Sequence, residues 1–305
     1  MSAFQTTTVK NAPDFILYAQ HGWADNAIAI ASLTHSLATP RTKAIVPDLG
    51  WFKTWLRIEP LIQNLEGQVK QTLIEYPQTP LRIIGHSMGG LIWLELLHRH
   101  PEWRSRVHSL ILVASPVGGA DLARIIDPFR WGIGIARDLG TNRRAIAESI
   151  AAEIPTLVIA GDIDNGSDGT ISLGSTQCAR TQFIRLEGVS HPQLKNSPQL
   201  VPLIRNFWEN PVLTPAAPPD VASPIIERLR AIPGMTDAHP RHFSKAKRAI
   251  ALNNGLTLRT WKNGMGIEHI FLANATGDCL YSGFVGWSHS QSLAQTLAEF
   301  QTKSR

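Results

Sequence analysis

Apolar positions along this chain fall into short uniform runs separated by longer stretches with helical spacing. The runs are Asp14–Ala19 (DFILYA), Ala44–Val46, Leu81–Ile84, Ser109–Ala114 (SLILVA), Pro155–Ala160 (PTLVIA) and Gln182–Leu186. Short runs that stay apolar, instead of alternating with polar residues, predict strands buried on both faces. Between them, residues 26–38 carry Ile28, Ile30, Leu33 and Leu37 at helical spacing, and Ile58–Tyr76 is apolar at 58, 61, 62, 65, 69, 73 and 76. Leu91–His98 and Pro198–Trp208 continue the same period, so each stretch predicts an amphipathic helix. Pro40–Lys43 reads as a break and Trp51–Trp55 as loop. Strands alternating with helices predict a mostly parallel sheet covered by helices on both faces.

The rhythm breaks twice. Residues 115–153 interrupt it with Gly118-Gly119, then Ile125, Ile126, Phe129, Trp131, Ile133 and Ile135, and end in a helical stretch from Arg143 to Glu153. An insertion there is expected either to form a lid or to pack on the sheet. Further on, five prolines between 211 and 224 mark a linker. These breaks predict a domain over residues 1–210, a linker over 211–224 and a small α+β region over 225–305. In that last region Pro224–Ile232, His242–Leu252 and Gln291–Gln301 read as helices, and Leu256–Trp261, His269–Ala273 and Cys279–Trp287 as strands. The pattern assigns the region no role.

Composition narrows the class. The chain has 305 residues, 43% hydrophobic and 17% charged, enough for one large core plus a smaller unit and unlike a disordered or fibrous protein. Met1–Lys10 has neither a basic nor an apolar region of the kind a secretory signal needs, and no apolar run approaches the roughly 18 residues of a membrane span. Cys178 and Cys279 match no metal or redox spacing and are expected as reduced thiols. The expected compartment is the cytoplasm. Net charge is +5, and residues 212–305 hold ten Lys or Arg against six Asp or Glu. That surplus is compatible with peripheral contact with an anionic membrane surface, but its default reading is a solvated face. No nucleic-acid-binding motif accompanies it, so no nucleic-acid partner is expected.

The chemistry centres on Leu81-Arg82-Ile83-Ile84-Gly85-His86-Ser87-Met88-Gly89-Gly90, where a buried strand runs straight into Gly85-x-Ser87-x-Gly89 and a helix. Such a turn lifts the Ser87 hydroxyl clear of the sheet and leaves the Met88 N–H at a helix start, facing a developing oxyanion. A serine hydroxyl needs an imidazole as general base, and the imidazole needs a carboxylate to fix its tautomer. In sheets of this kind the order along the chain is Ser, acid, His. Here Asp162, Asp164 and Asp168 follow the strand at Pro155–Ala160, and His191 follows the strand ending near Leu186. The N–H of Trp23 becomes available where Gly22 turns the chain after the first strand.

Together these pieces resemble an α/β-hydrolase of the lipase/esterase kind. The matching segments are His21-Gly22-Trp23 after a strand, GHSMGG at 85–90, SDGT at 167–170 and GVSH at 188–191. The resemblance covers residues 14 to about 208 and omits the C-terminal region. It implies the α/β-hydrolase fold, Ser87 as nucleophile, His191 as base, and the N–H groups of Trp23 and Met88 as an oxyanion hole. For the acid it leaves Asp168 and Asp164. Asp168 is preferred because Gly169 lets its backbone turn toward the histidine loop, and Asp162 is read as structural.

The remaining conspicuous residues have plainer readings. His98 and His100 point to different sides of a helix and do not form a metal pair. Asp25 and Asn26 cap the helix that follows them. His86 packs, and the nine tryptophans belong to core and rim. No phosphate loop, nicotinamide fingerprint or metal cluster is present, so no cofactor is expected. The function expected is cleavage of a carboxylic ester, small or lipid, through an acyl-enzyme on Ser87. The alternatives are a thioesterase or acyltransferase with the same residues, and a non-catalytic binding protein on a hydrolase scaffold.

Overall fold

The computed structural model of the protein describes residues 12–120, 134–252 and 254–303. Six strands, β1 (Phe15–Gln20), β2 (Thr42–Ile45), β3 (Leu81–His86), β4 (Val107–Val113), β5 (Thr156–Asp162) and β6 (Gln182–Glu187), form one sheet in the order β2-β1-β3-β4-β5-β6. Every neighbouring pair is parallel.

Two apolar layers account for the uniform runs. Ile16, Tyr18, Ile83, Leu110, Leu112 and Val158 face one side, against the helices Glu59–Glu75 and Met88–Arg99 and Ile150 of the helix Arg144–Ala151. Their chain neighbours Leu17, Ala19, Ile84, Ile111, Val113, Leu157 and Ile159 face the other, against the helices Ala27–Leu37 and Leu200–Glu209. Alternate side chains point to opposite faces of a strand, so a strand covered on both sides must be apolar throughout. Each fully buried Leu or Ile adds about 2 kcal/mol. Helix starts agree with the reading at Asn26, the N-cap of Ala27–Leu37, whose side chain accepts from the Ile28 N–H at 3.0 Å.

The C-terminal unit holds five further strands, β7 (Thr236–Asp237), β8 (Lys247–Ala251), β9 (Thr257–Lys262), β10 (Glu268–Ala273) and β11 (Cys279–Val285), paired antiparallel in the order β7-β11-β10-β9-β8. The helices Ser223–Arg230 and Ser290–Lys303 cover one face through Leu229, Leu293 and Phe300. Residues 211–220 between the two units form no regular element.

Several elements differ from the sequence reading. His242–Leu252 is not a helix: Pro240–Lys245 is a 3-10 turn and Lys247–Ala251 is β8. β8 pairs only with β9 at the sheet edge, and Ile250 is its one buried residue. An edge strand studded with Lys and Arg has no period-2 stripe to betray it. Lys53–Trp55 is a 3-10 turn and not plain loop. Within 115–153, residues Ile125, Ile126, Phe129, Trp131 and Ile133 of the expected lid lie outside the described residues. Ile135, Leu139, Ala147 and Ile150 pack into the sheet's core.

The two units meet through a buried ion pair. Arg144, on the helix Arg144–Ala151, pairs with Asp237 of β7, their side chains 8% and 3% exposed. The same guanidinium donates to the Gly174 carbonyl at 3.1 Å, and Arg230 reaches Asp237 at 3.2 Å.

Candidate active site

The carboxyl ends of β1, β3, β5 and β6 lie along one edge of the sheet, with Gln20 beside Gly85 and Asp162 beside Glu187. Ser87 stands at that edge, between β3 and the helix Met88–Arg99, with φ 54° and ψ −123°. Positive φ in a serine stores on the order of 1–3 kcal/mol of strain, which the surroundings must hold. They do so from three sides. The Ser87 N–H donates to the Val113 carbonyl at 2.8 Å, and the Gly90 N–H donates back to the Ser87 carbonyl at 3.1 Å. Gly89 lies so close to β1 that a Cβ there would sit 2.4 Å from the Gln20 carbonyl oxygen, so no larger residue fits. Met88 is the first residue of the helix, where an N–H has no intrahelical acceptor.

Gly22 approaches Ser87 closely. A Cβ built on it would fall 3.3 Å from Ser87 Oγ, which sets the Gly22–Trp23 turn beside the hydroxyl. His21 holds this turn, a part that sequence reasoning missed. Its Nε2 accepts from the Leu49 N–H at 3.0 Å, so its Nδ1 carries the proton and donates to the Gly22 carbonyl at 3.0 Å. Trp23 packs edge-on against Trp55 at 4.4 Å, and the Ala24 N–H donates to Thr54 Oγ1 at 3.1 Å.

His191 follows β6 and meets the elbow through His86. His86 Nε2–H donates to the His191 carbonyl at 3.2 Å, and the two rings lie 4.8 Å apart. Burial, and then the neighbouring His191, push the His86 pKa well below the usual histidine value, against the hydrogen bond to that carbonyl, so His86 packs as a neutral ring. On the other side, His191 Nδ1 lies 2.7 Å from Asp168 Oδ2, and the His191 N–H donates to the Asp168 carbonyl at 2.9 Å. Asp168 is buried, and its second oxygen accepts from the Thr170 and Ile171 N–H groups at 2.9 and 2.7 Å. Gly169, at φ 89°, gives the loop the left-handed step this requires.

Asp164 is turned elsewhere. Its Oδ1 accepts from Ser167 N–H at 2.9 Å, from Ser167 Oγ at 2.8 Å, and lies 3.1 Å from His239 Nε2 of the C-terminal unit. Asp162 takes the Gly166 N–H at 2.9 Å and pairs with Arg185 at 2.7 Å, so it holds the loop. The geometry thus brings Ser87, His191, Asp168 and the Gly22–Trp23 and Met88 backbone to one end of the sheet and leaves Asp164 outside.

Other candidates take no part. His100 pairs with Glu66 and Glu102 and stacks on Trp103, and His98 is exposed. Among the described residues no cluster of His, Cys, Asp or Glu has a metal-binding arrangement, and no helix is long and apolar enough to cross a membrane. Cys178 and Cys279 are free, and burial pushes both thiols up to about 11, far from a reactive thiolate. A cavity of about 670 Å³ between the helix Ile135–Gly140 and the C-terminal unit is lined by Met235, Phe284 and Trp287 but not by Ser87 or His191.

A parallel sheet with a serine on its strand-to-helix elbow and a histidine–aspartate pair beside it gives the chain the α/β-hydrolase fold. The family model described as serine aminopeptidase, S33, matches residues 12–136. The solved lipase BlEst2 of Bacillus licheniformis in its mature form is 13% identical, with a TM-score of 0.50 over 65% of this chain and 92% of that one. Its propeptide form is 12% identical, with a TM-score of 0.53 over 85% of this chain and 59% of that one. A share of 85% is more than residues 1–210 supply, so the shared fold extends into the C-terminal unit. At such identities the likeness is one of fold. No curated protein matches the sequence.

Proposed function

We propose that the protein is a serine hydrolase that cleaves a carboxylic ester through an acyl-enzyme on Ser87. The observation that carries this reading is the 2.7 Å contact between His191 Nδ1 and Asp168 Oδ2, on a loop packed against the serine elbow. Asp168 accepts a hydrogen bond from His191 Nδ1–H, which keeps the proton on Nδ1 and leaves Nε2 bare to take the proton from Ser87 Oγ as the oxygen attacks the ester carbonyl. The oxyanion then meets the Trp23 and Met88 N–H groups. Losing one such donor typically costs on the order of 10²–10³ in turnover. His191 next gives its proton to the departing alkoxide. A water, deprotonated by the same nitrogen, attacks the acyl-enzyme, and His191 returns that proton to Ser87 Oγ as the acid departs.

An ester is preferred because solved structures of similar fold are named lipases. The family model's description keeps an amide reading alive beside it. The test is turnover of a panel of acyl esters and thioesters of graded chain length plus an aminoacyl anilide, with Ser87→Ala as the blank. Ester turnover that vanishes in the blank is expected. Faster thioester or anilide turnover would reassign the substrate, and no Ser87-dependent turnover of any member would leave the scaffold a binding protein.

A further inference from the structure

The C-terminal unit touches the loop that carries Asp168 at a point with consequences for the site. His239 stands just after β7 and is the N-cap of the 3-10 turn Pro240–Lys245, its Nδ1 accepting from the Arg241 N–H at 2.7 Å. An accepting Nδ1 is a bare nitrogen, so the proton sits on Nε2. That N–H donates to Asp164 Oδ1 at 3.1 Å. The same carboxylate oxygen takes both the N–H and the hydroxyl of Ser167, and Ser167 Oγ in turn accepts from the Gly169 N–H at 3.0 Å. Asp168 lies between those two residues. The approach is tight: a Cβ on Gly166 would fall 2.9 Å from His239 Nε2. A second grip lies on the far side of the loop, where Arg144 joins the Gly174 carbonyl to Asp237, two residues before His239.

We infer that His239 is a positioning residue, through which the C-terminal unit holds Asp168 in register with His191 by way of Asp164 and Ser167. The inference rests on the proposed role of Asp168. A carboxylate that must meet an imidazole nitrogen at 2.7 Å tolerates little drift of its loop. The anchor therefore acts on the chemical step and leaves substrate binding alone.

The test compares His239→Leu with His239→Gln in the full chain. Gln keeps an N–H donor at about the reach of Nε2, whereas Leu keeps only bulk. With the best short-chain ester, His239→Leu is expected to lower kcat about five- to tenfold with KM within about twofold, and His239→Gln to restore kcat to within about twofold of the parent. Both should keep the parent's thermal midpoint to within a few degrees, because Leu and Gln are of similar bulk to the ring and Asp164, 39% exposed, keeps its bonds to Ser167 and access to water. By proton NMR, the low-field Nδ1–H signal of His191 bonded to Asp168 should move upfield or broaden in the Leu variant and stay in place in the Gln variant. An unchanged kcat and an unchanged signal in His239→Leu would overturn the inference. So would equal impairment of both variants with matching losses of thermal midpoint, which is the mark of a merely structural contact. A parent that turns over no ester would sink the proposed function, and the NMR comparison would still decide the coupling: a moved signal supports it and an unmoved one refutes it.

Discussion

Replacing Asp168 by Asn separates the two candidate acids by chemistry and not by shape. In the parent, Oδ1 takes two backbone N–H groups, from Thr170 and Ile171, while Oδ2 faces His191 Nδ1 at 2.7 Å. The amide oxygen of Asn keeps the two backbone donors, since only oxygen can accept them, which turns the NH2 toward His191. His191 Nδ1 must then accept. Its proton moves to Nε2, where it faces Ser87 and blocks general-base catalysis. The expected loss is about 10⁴ in turnover, equivalent to about 5 kcal/mol of transition-state stabilisation, with the fold intact because the loop's backbone bonds survive. Asp164→Asn keeps an oxygen toward Ser167 and should cost about tenfold or less. Turnover of a short-chain ester by the two purified variants reads both numbers. If Asp164→Asn is the crippled enzyme and Asp168→Asn keeps most of its activity, the assignment of the acid is wrong.

Two further outcomes follow from the packing. Both apolar layers of the parallel sheet are built from residues within 16–208, so a chain ended at Asn210 should stay soluble and show the circular dichroism of a folded α/β unit with a cooperative thermal transition. Its ester turnover should fall about as far as that of His239→Leu, and an insoluble product would show that the C-terminal unit completes the core. His86 is fully buried and held neutral, so the unfolded state binds a proton below pH about 6.5 that the native state does not. The stability this residue contributes is complete above that pH and declines as the pH falls, by up to about 1.4 kcal/mol per pH unit. Urea unfolding between pH 7 and 5 should therefore fall off less steeply in His86→Gln than in the parent, and parallel slopes would contradict the account.

How much of this was legible along the chain depended on how local the cause was. The elbow and the doubly buried strands are written in contiguous residues: glycines at fixed offsets, and apolar runs that neither face of the sheet can relax. Asp168 was separable from Asp164 only through Gly169, whose positive φ is a local cue. The work of Asp164 was not legible, because its partner His239 lies 75 residues away and the contact exists only once the units dock. β8 failed for a related reason, since one buried residue at a sheet edge leaves no periodic mark. His21 was in view beside Gly22, but its role appears only through the Leu49 N–H, 28 residues on.

The central claim, that Ser87 is the nucleophile of an activated serine centre, is tested most directly by intact-mass analysis and peptide mapping after treatment with a fluorophosphonate. The account predicts one phosphonyl adduct per chain, mapped to the peptide containing Ser87, slowed in Asp168→Asn and absent in Ser87→Ala. An adduct on another residue, or equal labelling of the parent and Ser87→Ala, would contradict it.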